Sequence, residues 1–292
     1  MIPSNFDYQR AQSVDDALTK LAASGGTGKV IAGGHSLVPM MKLRLHEPTT
    51  LIDIARIGEL SGIREQDGLI EIGANTVHHD VATSSLLRNN CPIIAETAGM
   101  IGDPQVRNRG TLGGSLAHAD PAADYPAALL ALDAQIQLQG PSGTREVAAT
   151  DFFQGLFTVD LADNEIITAV RFTPVQVAAY AKLYQRASRF AIVGVAAALV
   201  INQGSMLRKP TIRSSRIGLT GAASHALRLT SVEEAVAGQA ATAEAMAQAA
   251  QGAGAKIDDI NADLHASEAY RRAMIQVFTT RALQGALARL PA

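Results

Sequence analysis

Cysteine and tryptophan are almost missing from this chain. The 292 residues include one cysteine, Cys91, and no tryptophan. A single thiolate cannot form an internal disulfide, a cysteine-rich zinc site or an iron-sulfur cluster, since each needs several cysteines. Any iron-sulfur chemistry associated with this protein must therefore reside on another chain.

Charge of one sign is not in excess, and long apolar runs are absent. The chain has 25 Lys and Arg against 27 Asp and Glu. Nucleic acids and anionic membranes are bound through a surplus of basic side chains, so the composition argues against both as main partners. The longest apolar run, residues 191–201, is far shorter than the roughly 20 residues of a membrane helix. Residues 1–7 do not resemble a secretory signal, so we expect a cytoplasmic protein without a membrane span.

Hydrophobic periodicity predicts a mixture of helices and strands. Helices are predicted over 14–23, 37–45, 77–88, 92–100, 125–132, 231–237, 243–252 and 267–290, and strands over 29–32, 49–54, 61–65, 69–74, 135–139, 145–148, 165–172, 194–201 and 212–220. The order of the predicted elements changes after Pro174, where two strands are followed by three helices. We expect one domain over 1–175, with subdomains of about 1–57 and 58–175, and a small α+β domain over 176–292.

Two Gly-Gly turns carry the clearest functional signal. The first, Ala-Gly-Gly-His-Ser-Leu at 32–37, stands between a predicted strand and a predicted helix. The second, Thr-Leu-Gly-Gly-Ser at 111–115, lies in the irregular stretch 101–121. Glycine lets the backbone approach a ligand closely, and a helix N-terminus attracts anions. Two such turns indicate a ligand with an extended, phosphate-bearing spine, although the first could also be a plain turn in which Ser36 caps the helix.

Three sharper motifs are not satisfied at the first turn. A Walker loop fails because Val30 follows Gly28-Lys29, and no Gly-x-Gly-x-x-Gly opens a helix here. A nucleophile elbow is partly matched at 34–38, but Val38 occupies its last glycine position. A serine hydrolase with Ser36 as nucleophile is therefore only a remote alternative.

The polar residues after the second turn also have structural explanations. Asp120-Pro121 could start the next helix, with Asp120 as the N-cap and Asp124 in the first turn. His78, His79 and His118 lack a metal-ligand pattern, so we expect surface or hydrogen-bonded histidines and no metal site.

The motifs at 32–36, 105–115 and 117–124 together resemble the FAD-binding medium subunit of molybdenum hydroxylases. The similarity is greatest to the carbon monoxide dehydrogenase branch of the xanthine dehydrogenase family, and it covers nearly the whole chain, including 213–223 and the helices after it. The resemblance implies an α+β fold. It comprises a PCMH-type FAD-binding domain of two α+β subdomains and a small C-terminal domain in which an antiparallel sheet packs on helices.

The resemblance also implies a non-covalent FAD and a set of contact residues. Residues 32–36 would hold the pyrophosphate, Asp124 would bind ribityl or ribose hydroxyls, and Lys182 would approach the flavin ring. Ile101 would pack near the flavin, and Ile167 would contact its isoalloxazine or the adenine. The full set is Ala32, Gly33, Gly34, His35, Ser36, Leu37, Ile101, Thr111, Leu112, Gly113, Gly114, Ser115, Asp124, Ile167 and Lys182.

The function implied by the resemblance is that of an oxidoreductase subunit that transfers electrons, with no catalytic acid or base of its own. Its partners would be a large molybdenum-pterin subunit and a small subunit with 2Fe-2S clusters, together forming a dimer of heterotrimers. This complex would lie in the cytoplasm, or at the inner face of the membrane through the partner subunits. The acceptor would be quinone, NAD or oxygen. Residues 188–190 depart from the family pattern, which has an acidic residue there. A stand-alone PCMH-type flavin oxidase or reductase, and purely structural glycine turns, are the alternatives.

Overall fold

The computed structural model describes residues 2–204 and 210–290. Its N-terminal part is a parallel sheet of three strands in the order β1-β3-β2. The elements are β1 Asp7–Arg10, α1 Val14–Ala23, β2 Gly28–Ile31, α2 Leu37–Lys42, β3 Thr50–Asp53 and the 3-10 helix Gly58–Leu60. Helix α1 begins as predicted, because the Ser13 side chain accepts a hydrogen bond from the Asp16 N–H and Val14, Ala17 and Leu21 are buried on one face.

The middle part is an antiparallel sheet of five strands in the order β4-β5-β10-β6-β7, accompanied by short helices. Helix α8 is buried along its whole length because it packs between this part and the C-terminal strands. The elements are β4 Ile63–Gln66, β5 Leu69–Gly73, α3 His78–Thr83, α4 Ser85–Asn90, α5 Pro92–Gly99, α6 Pro104–Arg107, α7 Leu112–His118, α8 Tyr125–Leu132, β6 Gln135–Gly140, β7 Gly143–Ala148, α9 Ala149–Phe152, β8 Phe153–Gly155, β9 Thr158–Val159 and β10 Ile166–Phe172.

The C-terminal part is an antiparallel sheet in the order β11-β12-β13-β14. Helix α12 packs against β11 and β12, and its partners form a separate apolar core. The elements are β11 Ala178–Tyr184, β12 Ala191–Asn202, β13 Thr211–Thr220, β14 Leu227–Arg228, α10 Thr230–Val236, α11 Ala243–Ala249, the 3-10 helix Ala250–Gly252 and α12 Glu268–Leu287.

The α+β class is confirmed, and several element predictions need correction. The helix predicted over 77–88 is two helices, because Ser84 leaves the helical region (φ −59°, ψ 121°) and its side chain caps α4. Asp120-Pro121 does not start α8, which begins at Tyr125; the Asp120 carboxylate instead accepts a hydrogen bond from the Ala122 N–H at 2.8 Å. The boundary near 175 stays a prediction, and residues 1, 205–209, 291 and 292 of the predicted domains lie outside the described residues.

Across the described ranges, no helix combines the length and the hydropathy needed to cross a membrane.

Candidate functional site

Both glycine turns line one large cavity, with a volume of about 1020 Å³. Its walls come from all three sheets and their connections. They are formed by the turn at 32–37, the segment 110–124, the connection 157–167 and the loop 188–190. A cavity of this size suits a large cofactor.

The first glycine turn touches the backbone just before the second one. A Cβ atom on Gly33 would lie 2.1 Å from the Arg109 carbonyl oxygen and 2.9 Å from the Gly110 Cα. Gly34 has φ +71°, a region that favours glycine. A Cβ on Gly113 would lie 2.6 Å from that of Ala74, whose carbonyl accepts a hydrogen bond from the Gly113 N–H at 2.8 Å. Glycine is therefore required where the backbones meet, and not only for chain flexibility.

The first turn presents backbone donors to the cavity. Within the described residues, the N–H groups of Gly34, His35 and Ser36 donate to no protein acceptor. Ser36 stands at the N-cap position of α2 but makes no side-chain capping bond. At the second turn, by contrast, the Thr111 hydroxyl caps α7 by accepting from the Gly114 N–H at 3.1 Å. Free N–H groups on a turn that only glycine can form fit the pyrophosphate of FAD.

A buried ion pair lies at another wall of the cavity. The Asp124 carboxylate, 5% exposed, accepts hydrogen bonds from the Tyr180 hydroxyl at 2.6 Å and the Lys182 ammonium at 2.8 Å. Burial raises the pKa of Asp124 and lowers the pKa of Lys182, and the attraction between the two charges opposes both shifts. Each charge therefore offsets part of the desolvation cost of the other.

His78 lies in the cavity wall and is neutral at physiological pH. Its side chain is buried, and its Nδ1 is 3.2 Å from the Tyr125 hydroxyl. Burial, reinforced by the charges of His35 and Arg107, lowers the pKa of His78 to about 4. No group of three or more potential metal ligands exists among the described residues.

The sequence did not indicate several other residues of the cavity wall. Asn75 is buried and donates through Nδ2 to the Ile54 carbonyl at 2.6 Å, while its Oδ1 has no partner in the described part of the chain. Phe157 is half exposed beside His118, with ring centroids 5.3 Å apart. Phe157 has φ +52°, and a positive φ on a residue other than glycine has no sequence signal. Arg189, in the segment 188–190 that departs from the family pattern, also lines the cavity, with φ +62°.

The structure brings together every predicted contact residue except two. Leu112 belongs to the apolar core, and the Lys182 side chain, 1% exposed, lies outside the cavity behind Asp124. Contact of the other residues with FAD stays a prediction. The Ser36 hydroxyl has no hydrogen bond to a histidine in the region that the structure describes, so it lacks the base that a serine nucleophile needs.

Comparison with known families accounts for nearly the whole chain. The family described as "FAD binding domain in molybdopterin dehydrogenase" matches residues 4–209, and the "CO dehydrogenase flavoprotein C-terminal domain" matches residues 178–286.

Similar proteins match over almost their entire length. The chain is 41% identical to the carbon monoxide dehydrogenase medium chain of Hydrogenophaga pseudoflava, covering 99% of each chain. It is 37% identical to the 6-hydroxypseudooxynicotine dehydrogenase complex subunit alpha of Paenarthrobacter nicotinovorans, covering 99% of this chain and 97% of that one. A solved structure of the Hydrogenophaga pseudoflava carbon monoxide dehydrogenase superposes with a TM-score of 0.92 over 99% of each chain. The chain therefore belongs to the family of FAD-binding medium subunits of molybdenum hydroxylases, the oxidoreductase family that includes carbon monoxide and xanthine dehydrogenases.

Proposed function

We propose that this chain binds FAD non-covalently in the cavity between its glycine turns and acts as the electron-transfer subunit of a molybdenum hydroxylase complex. It would receive electrons from 2Fe-2S clusters on a small partner subunit and pass them to an external acceptor. Bound FAD supplies the redox chemistry, and the chain binds and orients it. The observation that carries the proposal is the contact of Gly33 with Arg109 and Gly110, which packs the first turn against the residues immediately before the second turn, in the wall of one cavity.

The proposed contacts follow from the lining of the cavity. The free N–H groups at 34–36 would bind the pyrophosphate, with Thr111, Gly114 and Ser115 opposite. Asp124 would accept hydrogen bonds from sugar or ribityl hydroxyls, and Ile101 and Ile167 would contact the ring systems. The His35 Nδ1 lies 3.0 Å from the Gly33 carbonyl oxygen, which supports a role of this side chain in shaping the turn.

The sequence has one cysteine, and the residues that the structure describes include no group of three or more side chains that could hold a metal ion. Cys91 is fully buried, and burial raises the pKa of its thiol to about 11, so it is an inert core residue. The 2Fe-2S clusters and the molybdenum-pterin would therefore be held by the small and large partner subunits, in a dimer of heterotrimers located in the cytoplasm.

The substrate of the complex is not encoded in this chain. Two relatives of similar identity are named for carbon monoxide and 6-hydroxypseudooxynicotine, which differ greatly in size and chemistry. We infer that substrate is oxidised on the large subunit. This chain would determine only which acceptor receives the electrons: quinone, NAD or oxygen.

Purification of the native protein, followed by an absorption spectrum and metal analysis, tests the proposal. We expect flavin to co-purify with molybdenum, iron and two further chains. A flavin-bearing monomer without molybdenum or iron would instead support a stand-alone flavin oxidase or reductase. A colourless protein that does not take up FAD would mean that both glycine turns are only structural.

A further inference from the structure

Lys182 occupies an unusual place for a residue expected to meet the flavin. Its side chain is 1% exposed and is not part of the cavity wall. The ammonium donates to the Asp124 carboxylate at 2.8 Å and to the Met100 carbonyl at 3.1 Å. Asp124, by contrast, does line the cavity. The carboxylate therefore stands between the lysine and the space in which the dinucleotide would bind.

We propose that Lys182 is a positioning residue that holds Asp124 in place as a charged acceptor for the dinucleotide and makes no contact with the dinucleotide itself. The proposal rests on the proposed function, because it requires FAD in this cavity. A carboxylate has about four acceptor sites, and Tyr180 and Lys182 leave at least one of them available to a ligand hydroxyl.

The C-terminal sheet also fixes the backbone of residues 121–123, which lead directly into Asp124. The Gly221 N–H donates to the Pro121 carbonyl at 2.8 Å, and the Thr220 hydroxyl donates to the Ala123 carbonyl at 2.6 Å. The Ala191 N–H donates to the Ala122 carbonyl at 3.2 Å. Each of these donors comes from the strands or turns of the C-terminal sheet, as does Lys182 on β11. The C-terminal sheet thus determines where a wall of the cavity stands, without lining that wall at Asp124.

The charged and titratable groups around the pair make the role of Lys182 measurable. Asp124 faces Lys182 and the hydroxyl of Tyr180, and lies close to Tyr125; both tyrosines have a pKa raised well above its usual value by burial. The charge of Arg189 also acts on Lys182 and lowers its pKa slightly further. Without Lys182, no cation bonds the Asp124 carboxylate within the described residues, and burial alone then favours its protonation.

A double-mutant cycle on the full chain tests the proposal. The dissociation constant for FAD is measured by quenching of flavin fluorescence for the wild type, Asp124→Asn, Lys182→Gln, the double variant and the surface control Lys256→Met. We expect Asp124→Asn to weaken FAD binding on the order of 10- to 100-fold, the usual effect of losing a hydrogen bond to a charged group. Because Lys182 acts through Asp124, the double variant should match Asp124→Asn within about twofold. An unchanged affinity in Lys182→Gln, or a double variant weakened by the full product of two single losses, overturns the proposal.

The pH dependence of the same variants gives a second readout. In Lys182→Gln, affinity for FAD should fall as the pH is lowered, since the unpaired Asp124 takes up a proton; Asp124→Asn should show no such dependence. A pH profile of Lys182→Gln identical to that of the wild type contradicts the proposal. If the wild type itself does not bind FAD, the proposed function fails, an outcome that is separate from additive effects of the two substitutions.

Lysine acetylation of the wild-type chain, read by mass spectrometry, tests the proposal without any variant. Lys29 is exposed on the cavity wall and serves as the internal control, because it should be modified in the absence of FAD. Lys182 should remain unmodified with and without FAD. Modification of Lys182 in the FAD-free chain, followed by protection when FAD is added, shows direct access from the cavity and overturns the proposal.

Discussion

Substitution of Gly33 by alanine is the sharpest perturbation of the site. The added Cβ would lie 2.1 Å from the Arg109 carbonyl oxygen and 2.8 Å from its carbonyl carbon. Both are backbone atoms, so no rotamer change can relieve the clash. The first turn and the backbone of Arg109 must separate by more than about 1 Å to restore an ordinary contact distance of about 3.5 Å.

The cost of that separation falls on both stability and binding. Overpacking of this kind costs about 1–3 kcal/mol. Displacement of the first turn also misaligns its N–H groups, and losing one hydrogen bond to a phosphate weakens binding on the order of 10- to 100-fold. Gly58→Ala is the matched control, because a Cβ at Gly58 meets nothing within 4 Å. Thermal unfolding and an FAD titration measure the two effects. If Gly33→Ala melts and binds FAD as Gly58→Ala does, the reasoning about this backbone contact is wrong.

Three further predictions concern pH, a buried arginine and the flavin linkage. Because the pKa of His78 is lowered to about 4, the unfolded chain binds more protons than the folded protein between about pH 4 and 6.5, and stability falls by about 2 kcal/mol from pH 7 to 5. Urea unfolding should show that the free energy of unfolding falls less between pH 7 and 5 in His78→Gln than in the wild type, and by the wild-type amount in the exposed control His79→Gln. An equal fall in the two variants would contradict this assignment. Arg271 is 3% exposed and donates to two carbonyls and a carboxylate. Arg271→Met should therefore lower the free energy of unfolding by about 3 kcal/mol, whereas Arg272→Met, at a half-buried position, should lower it by less than about 1 kcal/mol. Similar losses in the two variants would refute this prediction. Acid precipitation should release the flavin into solution, and a yellow pellet that becomes colourless in His35→Ala would show a covalent link.

Local signals predicted most of the longer helices and strands, and failed where tertiary contacts decide. Helix α8 is found at the predicted residues 125–132 because its apolar run is bounded by Asp124 and by Asp133, which adopts φ +53°. Strand β1 escaped prediction because all four of its residues are exposed, so no alternation of apolar and polar side chains marks it. Helices α6 and α7, with four and seven residues, are too short for helical periodicity to appear.

The candidate site shows the same division. Glycine turns can be recognised from sequence, because glycine is required where backbones approach closely. What the sequence could not show is that Gly33 meets Gly110, or that Asp124 is held from behind by Lys182 on a strand of the C-terminal sheet. Such contacts join residues far apart in the chain and leave no local pattern. Asn75 is an ordinary residue in sequence, and only the structure shows its unpartnered Oδ1 beside the cavity.

The most direct test of the account is the source of the electrons that reach the flavin. The isolated chain is loaded with FAD, and its flavin absorbance is followed anaerobically after addition of the organic or gaseous substrate that reduces the complete complex. We expect no reduction in the isolated chain and rapid reduction once the partner subunits are present. Reduction of the flavin by that substrate in the isolated chain would contradict the assignment as an electron-transfer subunit.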